Sequence, residues 1–237
     1  PKEAKGPLYA RSLITPLYFN EDYFLMIDSH TVFDKDWDEN LVNQIKELQM
    51  KTKKKKVIIS SYPKHKGDRN NNFNFSLCKT INLTGGYPAQ FDSVVKRNGN
   101  VFKQQMFIAG GFLFTIGKFI HDVRFTGSLD GIFNGEEILL SYYAYCKGYD
   151  IFSQKRNVLY HNYSQEGRNI YSEDNKKQLQ SEEKSREKLK YLLFQENIEC
   201  VDGRSREKFW KIIGWDHQKK QIDKKVENYW CNDSKEY

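Results

Sequence analysis

The chain has 237 residues, a formal net charge of +7, 15% aromatic and 29% charged residues, and a mean hydropathy of -0.78. That is a globular composition with an aromatic core and a charged surface, enough for one large domain or two small ones. No apolar run approaches the roughly 18 residues of a membrane-spanning helix. The N-terminal PKEAKGPLYARS also lacks the basic, apolar and small-residue succession of a secretory leader.

The chain opens without Met and is expected to begin inside a longer polypeptide. The lysines between Lys51 and Lys56 form a basic block of the kind that can bind nucleic acid. Their place between a predicted helix and the apolar run VIIS makes a solvated connection the better reading. Cys78, Cys146, Cys200 and Cys231 contain no C-x-x-C pair, which points away from a zinc site or a dense disulfide framework. A reducing compartment is expected on that basis. The sequons at Asn74, Asn82, Asn162 and Asn232 point the other way.

In chain order, Gly6–Tyr18 reads as helical, with Tyr9, Leu13 and Leu17 on one face and Pro16 ending or kinking it. Tyr23, Phe24, Leu25, Met26 and Ile27 form a continuous apolar run, the pattern of a buried strand. It ends in Asp28-Ser29-His30. On an extended chain, residues two apart share a side, so Asp28 and His30 can converge on one ion at the strand's carboxyl end. A carboxylate and an imidazole suit a divalent cation. The alternative is that Asp28 caps a turn and His30 is a surface residue.

Asp34–Met50 carries Trp37, Leu41, Ile45 and Leu48 at helical spacing. Lys56–Ser60 is the next strand, giving the β-α-β alternation of a mostly parallel sheet. Tyr62–Gln105 is Asn-, Gly- and Lys-rich without clear periodicity and is expected to be irregular. Phe107–Ile116 returns to strand character around Gly110-Gly111, a sign of a bulge or close backbone approach.

Asp130–Gly148 moves from a Gly-rich turn into a helix with Glu136 and Glu137 in its first turn, where its dipole favours carboxylates. Tyr149–Phe152 and Val158–Tyr160 are short strands, the second followed by His161. Ser172–Gln195 and Ser205–Ile213 read as helices, and the tail from His217 as charged and helical or frayed.

These pieces resemble, in order, the catalytic half of the GT-A-type polypeptide glycosyltransferases. IDSH is similar to their D-x-H metal motif and IAGGFLFTIGKF to their A-G-G strand. FNGEEILLSYYAYCKGYDIF resembles their W-G-G-E-N-x-E segment, and VLYHNYS resembles the strand carrying a third, downstream His ligand. Phe133 and Asn134 stand where Trp and Gly are usual. A closer resemblance, through GPLYARSLI, EDYFLMIDSH, GEE, VLYH and GRSREKFWKIIGWD, is to the protein O-linked N-acetylglucosaminyltransferase family. It runs from about Gly6 to Asp216.

The resemblance implies an α/β, GT-A-like, mostly parallel central sheet flanked by helices, lacking an N-terminal UDP-binding portion. Residues 1–165 would form the catalytic core and 166–237 a helical extension. It implies transfer of N-acetylglucosamine from UDP-GlcNAc to hydroxyproline, Ser or Thr of a protein acceptor, with retention. Asp28, His30 and His161 would hold Mn²⁺ or another divalent cation. Gly110, Gly111, Gly135, Glu136 and Glu137 would contact the sugar or acceptor, with Asp28, His30 and Glu136 as the catalytic set. The expected location is cytoplasmic, or the Golgi lumen if a preceding region carries an anchor. Neither nucleic acid nor a membrane segment is expected. A noncatalytic sugar- or nucleotide-binding module is the competing reading; it would keep the glycines and Glu136 without needing a metal.

Overall fold

A computed structural model describes residues 5–71, 73–83, 87–98, 100–123, 125–132, 134–164 and 179–237. Helix α1 (Pro7–Ser12) starts on a proline, which costs no backbone donor at that position. It stops short of the predicted end: Thr15–Leu17 is a separate 3₁₀ turn carrying Pro16. Leu8 is the buried residue of this segment, while Leu13 and Leu17 are exposed, contrary to the expected face.

Strand β1 (Tyr23–Ile27) follows, then the Asp28–His30 corner and β2 (Thr31–Phe33). Helix α2 (Trp37–Thr52) buries Leu41, Ile45 and Leu48, the stripe its periodicity predicts. Strand β3 (Val57–Ser60) is buried at every position, and β4 (Lys64–His65) is a short edge.

The expected irregular stretch is instead a long hairpin, β5 (Phe73–Leu83) with β6 (Tyr87–Asn98). Its register shifts at three places. Each bulge breaks the alternation by which a strand is recognised, so the pattern is lost although the ladder persists.

Next come β7 (Gln104–Gln105), β8 (Phe112–Ile116), the short α3 (Phe119–Asp122) and α4 (Glu136–Cys146). Strands β9 (Asp150–Phe152) and β10 (Leu159–His161) complete the core. The main sheet runs β1-β8-β3-β9-β7. Strand β8 lies antiparallel to both β1 and β3, and β9 is parallel to β3. So β1, β3 and β9 share one direction and β8 and β7 oppose them. The fold is α/β as expected, but the main sheet is mixed rather than mostly parallel: among its described pairings β3–β9 alone is parallel.

A second sheet, β2-β10-β4, places β10 in the middle and sets His161 opposite Thr31 and His65. The corner after β1 thereby meets the end of β10.

Helix α5 (Leu179–Phe194) begins within the predicted helix, whose first residues, 172–178, lie outside the described residues. Helix α6 (Arg206–Ile213) is capped by Ser205, whose hydroxyl accepts from the Lys208 N–H, and ends on left-handed Gly214. The tail, expected to be helical or frayed, is ordered and partly helical: β11 (Trp215–Asp216), β12 (Gln221–Ile222) and α7 (Lys224–Asn228) lead back to the core. Phe102 and Tyr237 exchange backbone hydrogen bonds at 3.0 and 2.9 Å. Leu189, Leu193, Phe209 and Trp210 share one hydrophobic cluster with Leu139 and Tyr142 of α4.

All four cysteines are paired, Cys78 with Cys231 and Cys146 with Cys200. Separations of 153 and 54 residues make both pairings tertiary, which is why spacing did not disclose them. Their pairing removes the spacing argument for a reducing compartment. The basic block behaves as a solvated connection: Lys51, Lys54 and Lys56 pair with Glu47, Asp150 and Asp122.

The β1–β8 pair is locked at its far end by Gly117, whose N–H donates to Asp22 O at 2.8 Å. A Cβ there would stand 1.8 Å from the Glu21 carbonyl oxygen, a backbone atom that cannot swing away. Gly117→Ala is expected to cost about 3 kcal/mol, the upper end of overpacking penalties. Urea denaturation measures it; a loss under about 0.5 kcal/mol would contradict this packing.

Candidate active site

The site is assembled where β1 and β8 end. The Asp28 N–H donates to Gly111 O at 3.3 Å, carrying the β1–β8 ladder one residue past the strand. Gly110 and Gly111 form the tight turn entering β8 rather than lying inside a strand as expected. Both are glycine for lack of room. A Cβ on Gly110 would lie 2.8 Å from Glu136 Oε1, and one on Gly111 2.9 Å from Asp28 Oδ2.

The turn is held by side chains from two other elements. Arg11 of α1 donates to Gly110 O at 2.8 Å and ion-pairs with Glu136 through its other terminal nitrogen. Glu137 Oε1 accepts from the Gly110 N–H at 3.1 Å and from the Tyr62 hydroxyl at 3.2 Å. The Gly110 peptide is therefore clamped at its N–H by α4 and at its carbonyl by α1.

Glu136 and Glu137 open α4, where unpaired helix N–H groups favour negative charge. Glu136 is only 5% exposed. Burial pushes its carboxyl up from the ordinary range, opposed by the Arg11 guanidinium. Its second oxygen, Oε2, is buried and accepts no hydrogen bond among the described residues. Burial also raises Glu137 to about 7, against the lowering effect of the Gly110 N–H.

Gly135, expected among the substrate-binding residues, caps α4 at φ +108°, and its open side is filled by packing: a Cβ would meet Leu189 Cδ2 at 2.4 Å and Tyr87 at 3.2 Å. The neighbouring Phe133 lies outside the described residues.

Opposite the glutamates, Asp28 Oδ2 stands 3.9 Å from His161 Nε2. The Asp28 side chain is 44% exposed and that of His161 11%. His30 sits on the exposed rim, its ring centroid 6.1 Å from that of His161 at a near-perpendicular 84°. His161 is fixed by β10 and by the Tyr163 ring at 4.4 Å; Tyr163 in turn donates its hydroxyl to Pro63 O at 2.6 Å. Among the described residues, no three His, Cys, Asp or Glu side chains already close into a ligand set. The donors nevertheless fit a divalent cation. A 3.9 Å gap is spanned by two bonds of about 2.1 Å, and the His30 ring lies beside that of His161.

The structure thus brings Asp28 to His161 and to Gly111, and the Gly110-Gly111 turn to Glu136 and Glu137, with His30 at the exposed edge beside His161. Sequence reasoning missed Arg11 and Tyr62. Arg11 stands in the GPLYARSLI block, yet neither periodicity nor charge shows that it reaches a glutamate 125 residues away. A family model described as Glycosyltransferase (GlcNAc) matches residues 1–231. No curated protein matches the chain significantly.

Two outcomes test this geometry. Arg11→Met strands Glu136 without its cation in the interior and is expected to cost about 3–5 kcal/mol in urea unfolding; a change under about 1 kcal/mol would show that the pair is not buried as described. For Glu137 the folded carboxyl, at about 7, lies above its ordinary 4.5. Between these values the folded chain binds more protons than the unfolded one, so its contribution to stability is full below pH 4.5 and lost as pH rises to about 7. Glu137→Gln keeps an oxygen for the two donors and is expected to flatten that decline. A pH–stability curve parallel to that of the wild type would contradict the assignment.

Proposed function

We propose that the chain, which belongs to the GlcNAc glycosyltransferase family, moves N-acetylglucosamine from UDP-GlcNAc to a hydroxyl of a protein acceptor, with retention and dependence on a divalent metal. The observation that carries this reading is the Gly110-Gly111 turn, bare of side chains and flanked by buried Glu136 on one side and Asp28 on the other. A sugar needs such a surface, with backbone close to its ring and a carboxylate for its hydroxyls.

Asp28, His30 and His161 would hold the cation. When bound it supplies Lewis-acid stabilisation of negative charge on the departing diphosphate; imidazole donors suit Mn²⁺ better than Mg²⁺. Glu136 is held by Arg11 with one oxygen left to accept, as a group that fixes sugar hydroxyls should be. Glu137 Oε1 accepts from the Gly110 N–H and the Tyr62 hydroxyl, so it shapes the turn beside which the sugar or acceptor would lie.

Retention enters the proposal through the family resemblance. An inverting reaction would need a carboxylate to take the acceptor's proton on the face opposite the leaving group; Arg11 holds one oxygen of Glu136, and the Gly110 N–H and Tyr62 hydroxyl hold one of Glu137, which fixes both carboxylates against the turn. The acceptor would be hydroxyproline, Ser or Thr, reached through the rim bearing His30.

The test is a transfer assay with labelled UDP-GlcNAc and hydroxyproline-, Ser- and Thr-containing peptides. Asp28→Ala and His161→Ala are each expected to lower transfer at least 100-fold, a loss of about 3 kcal/mol of transition-state stabilisation, with the fold unchanged by circular dichroism. Chelation should abolish activity and Mn²⁺ restore it. Full activity in either variant would sink the metal assignment.

A further inference from the structure

Two observations that the transferase reading leaves unused concern the cysteines and the sequons. Every cysteine of the chain is in a disulfide, and each bond joins segments far apart in sequence. Cys146 is the last residue of α4 and ties it to Cys200; Cys231 ties the tail to β5 through Cys78. Two such pairs are what an oxidising compartment permits and a glutathione-reduced one prevents.

That compartment is also where Asn-x-Ser/Thr sequons are modified, and the structure separates the four in this chain. Asn74 is 6% exposed and donates its amide to Lys155 O at 2.6 Å, which leaves no room for a glycan. Asn162 directly follows His161, its own N–H donates to His30 O, and a glycan there would stand at the mouth of the site. The side chain of Asn82 is not among those described. Asn232 is exposed, on the helical turn Tyr229–Asp233 next to the Cys231 disulfide.

We propose that the chain matures in an oxidising compartment and carries an N-linked glycan on Asn232. Each disulfide forms as two thiols give up two protons and two electrons to the disulfide of a thiol oxidoreductase, which is reduced to its dithiol. In the glycosylation, the Asn232 amide nitrogen bonds the anomeric carbon of a lipid-pyrophosphate-linked oligosaccharide. The carbon–oxygen bond to pyrophosphate breaks with its electron pair, and the nitrogen loses a proton. Ser234, the hydroxyl residue of this sequon, is buried and donates to Trp230 O in the folded chain. The transfer therefore takes place on the extended chain, and folding then leaves the glycan on the solvent side.

The experiment uses protein isolated from its native cells, alkylated in denaturant without reductant, digested, and mapped by mass spectrometry before and after amidase deglycosylation. The expected result is no alkylated cysteine, linked Cys78–Cys231 and Cys146–Cys200 peptides, and an Asn232 peptide that appears only after deglycosylation. An Asn232→Gln chain expressed in the same cells should lose one glycan's mass. Four alkylated cysteines would overturn the compartment, and an unmodified Asn232 peptide in untreated protein would overturn the site. Neither readout depends on transferase activity.

Discussion

The ion pair between Arg11 and Glu136 is the contact on which the site depends. It joins the first helix to the first residue of α4, and its guanidinium also holds the carbonyl of Gly110. Both side chains are largely buried, at 13% and 7% exposure. A pair taken so far out of water adds little net stability, but losing one partner is costly. That asymmetry makes it a device for fixing geometry. With the Gly110 carbonyl held by Arg11 and its N–H by Glu137, the turn between β7 and β8 has little freedom to relax.

Around that fixed turn the site divides by exposure. The glutamate side is dry: α4 is buried along nearly its whole length, and Leu189 fills the space beside Gly135. The aspartate side is wet, with Asp28 almost half exposed and His30 on the rim. On the proposed reading, a low local dielectric would strengthen hydrogen bonds to a sugar on the first side, and the half-exposed Asp28 carboxylate with the exposed His30 imidazole, backed by buried His161, would exchange water for an ion and a diphosphate on the second. The two-sheet arrangement sets this contrast, because β1 feeds the buried main sheet while β2 and β10 form a separate layer that brings His161 to Asp28.

Much of this was legible in the sequence wherever a local pattern carries the information. The apolar run ending at Ile27, the stripe Leu41-Ile45-Leu48 and the VIIS strand all occupy the elements predicted for them. Asp28, His30 and His161 each follow or end a recognisable strand, so the approach of Asp28 to His161 was foreseeable. What stayed hidden depends on distance along the chain. Bulges erased the alternation of β5 and β6, and the pairing of four widely spaced cysteines leaves no local mark. The tail reads as helical or frayed; its helix forms, but its charged letters conceal the backbone pairing with residues 102–104. Leu13 and Leu17 misled for the opposite reason: helical spacing was present, but Pro16 ends the regular helix before that face can form.

The proposed ion site of Asp28, His30 and His161 should gain affinity in the presence of the nucleotide sugar. The decisive measurement is calorimetric titration of Mn²⁺ into the metal-stripped chain, with and without UDP-GlcNAc. One saturable site is expected, tightening when UDP-GlcNAc is present and disappearing in His161→Ala. Mn²⁺ binding unchanged by that substitution, or no binding in the presence of UDP-GlcNAc, would contradict it.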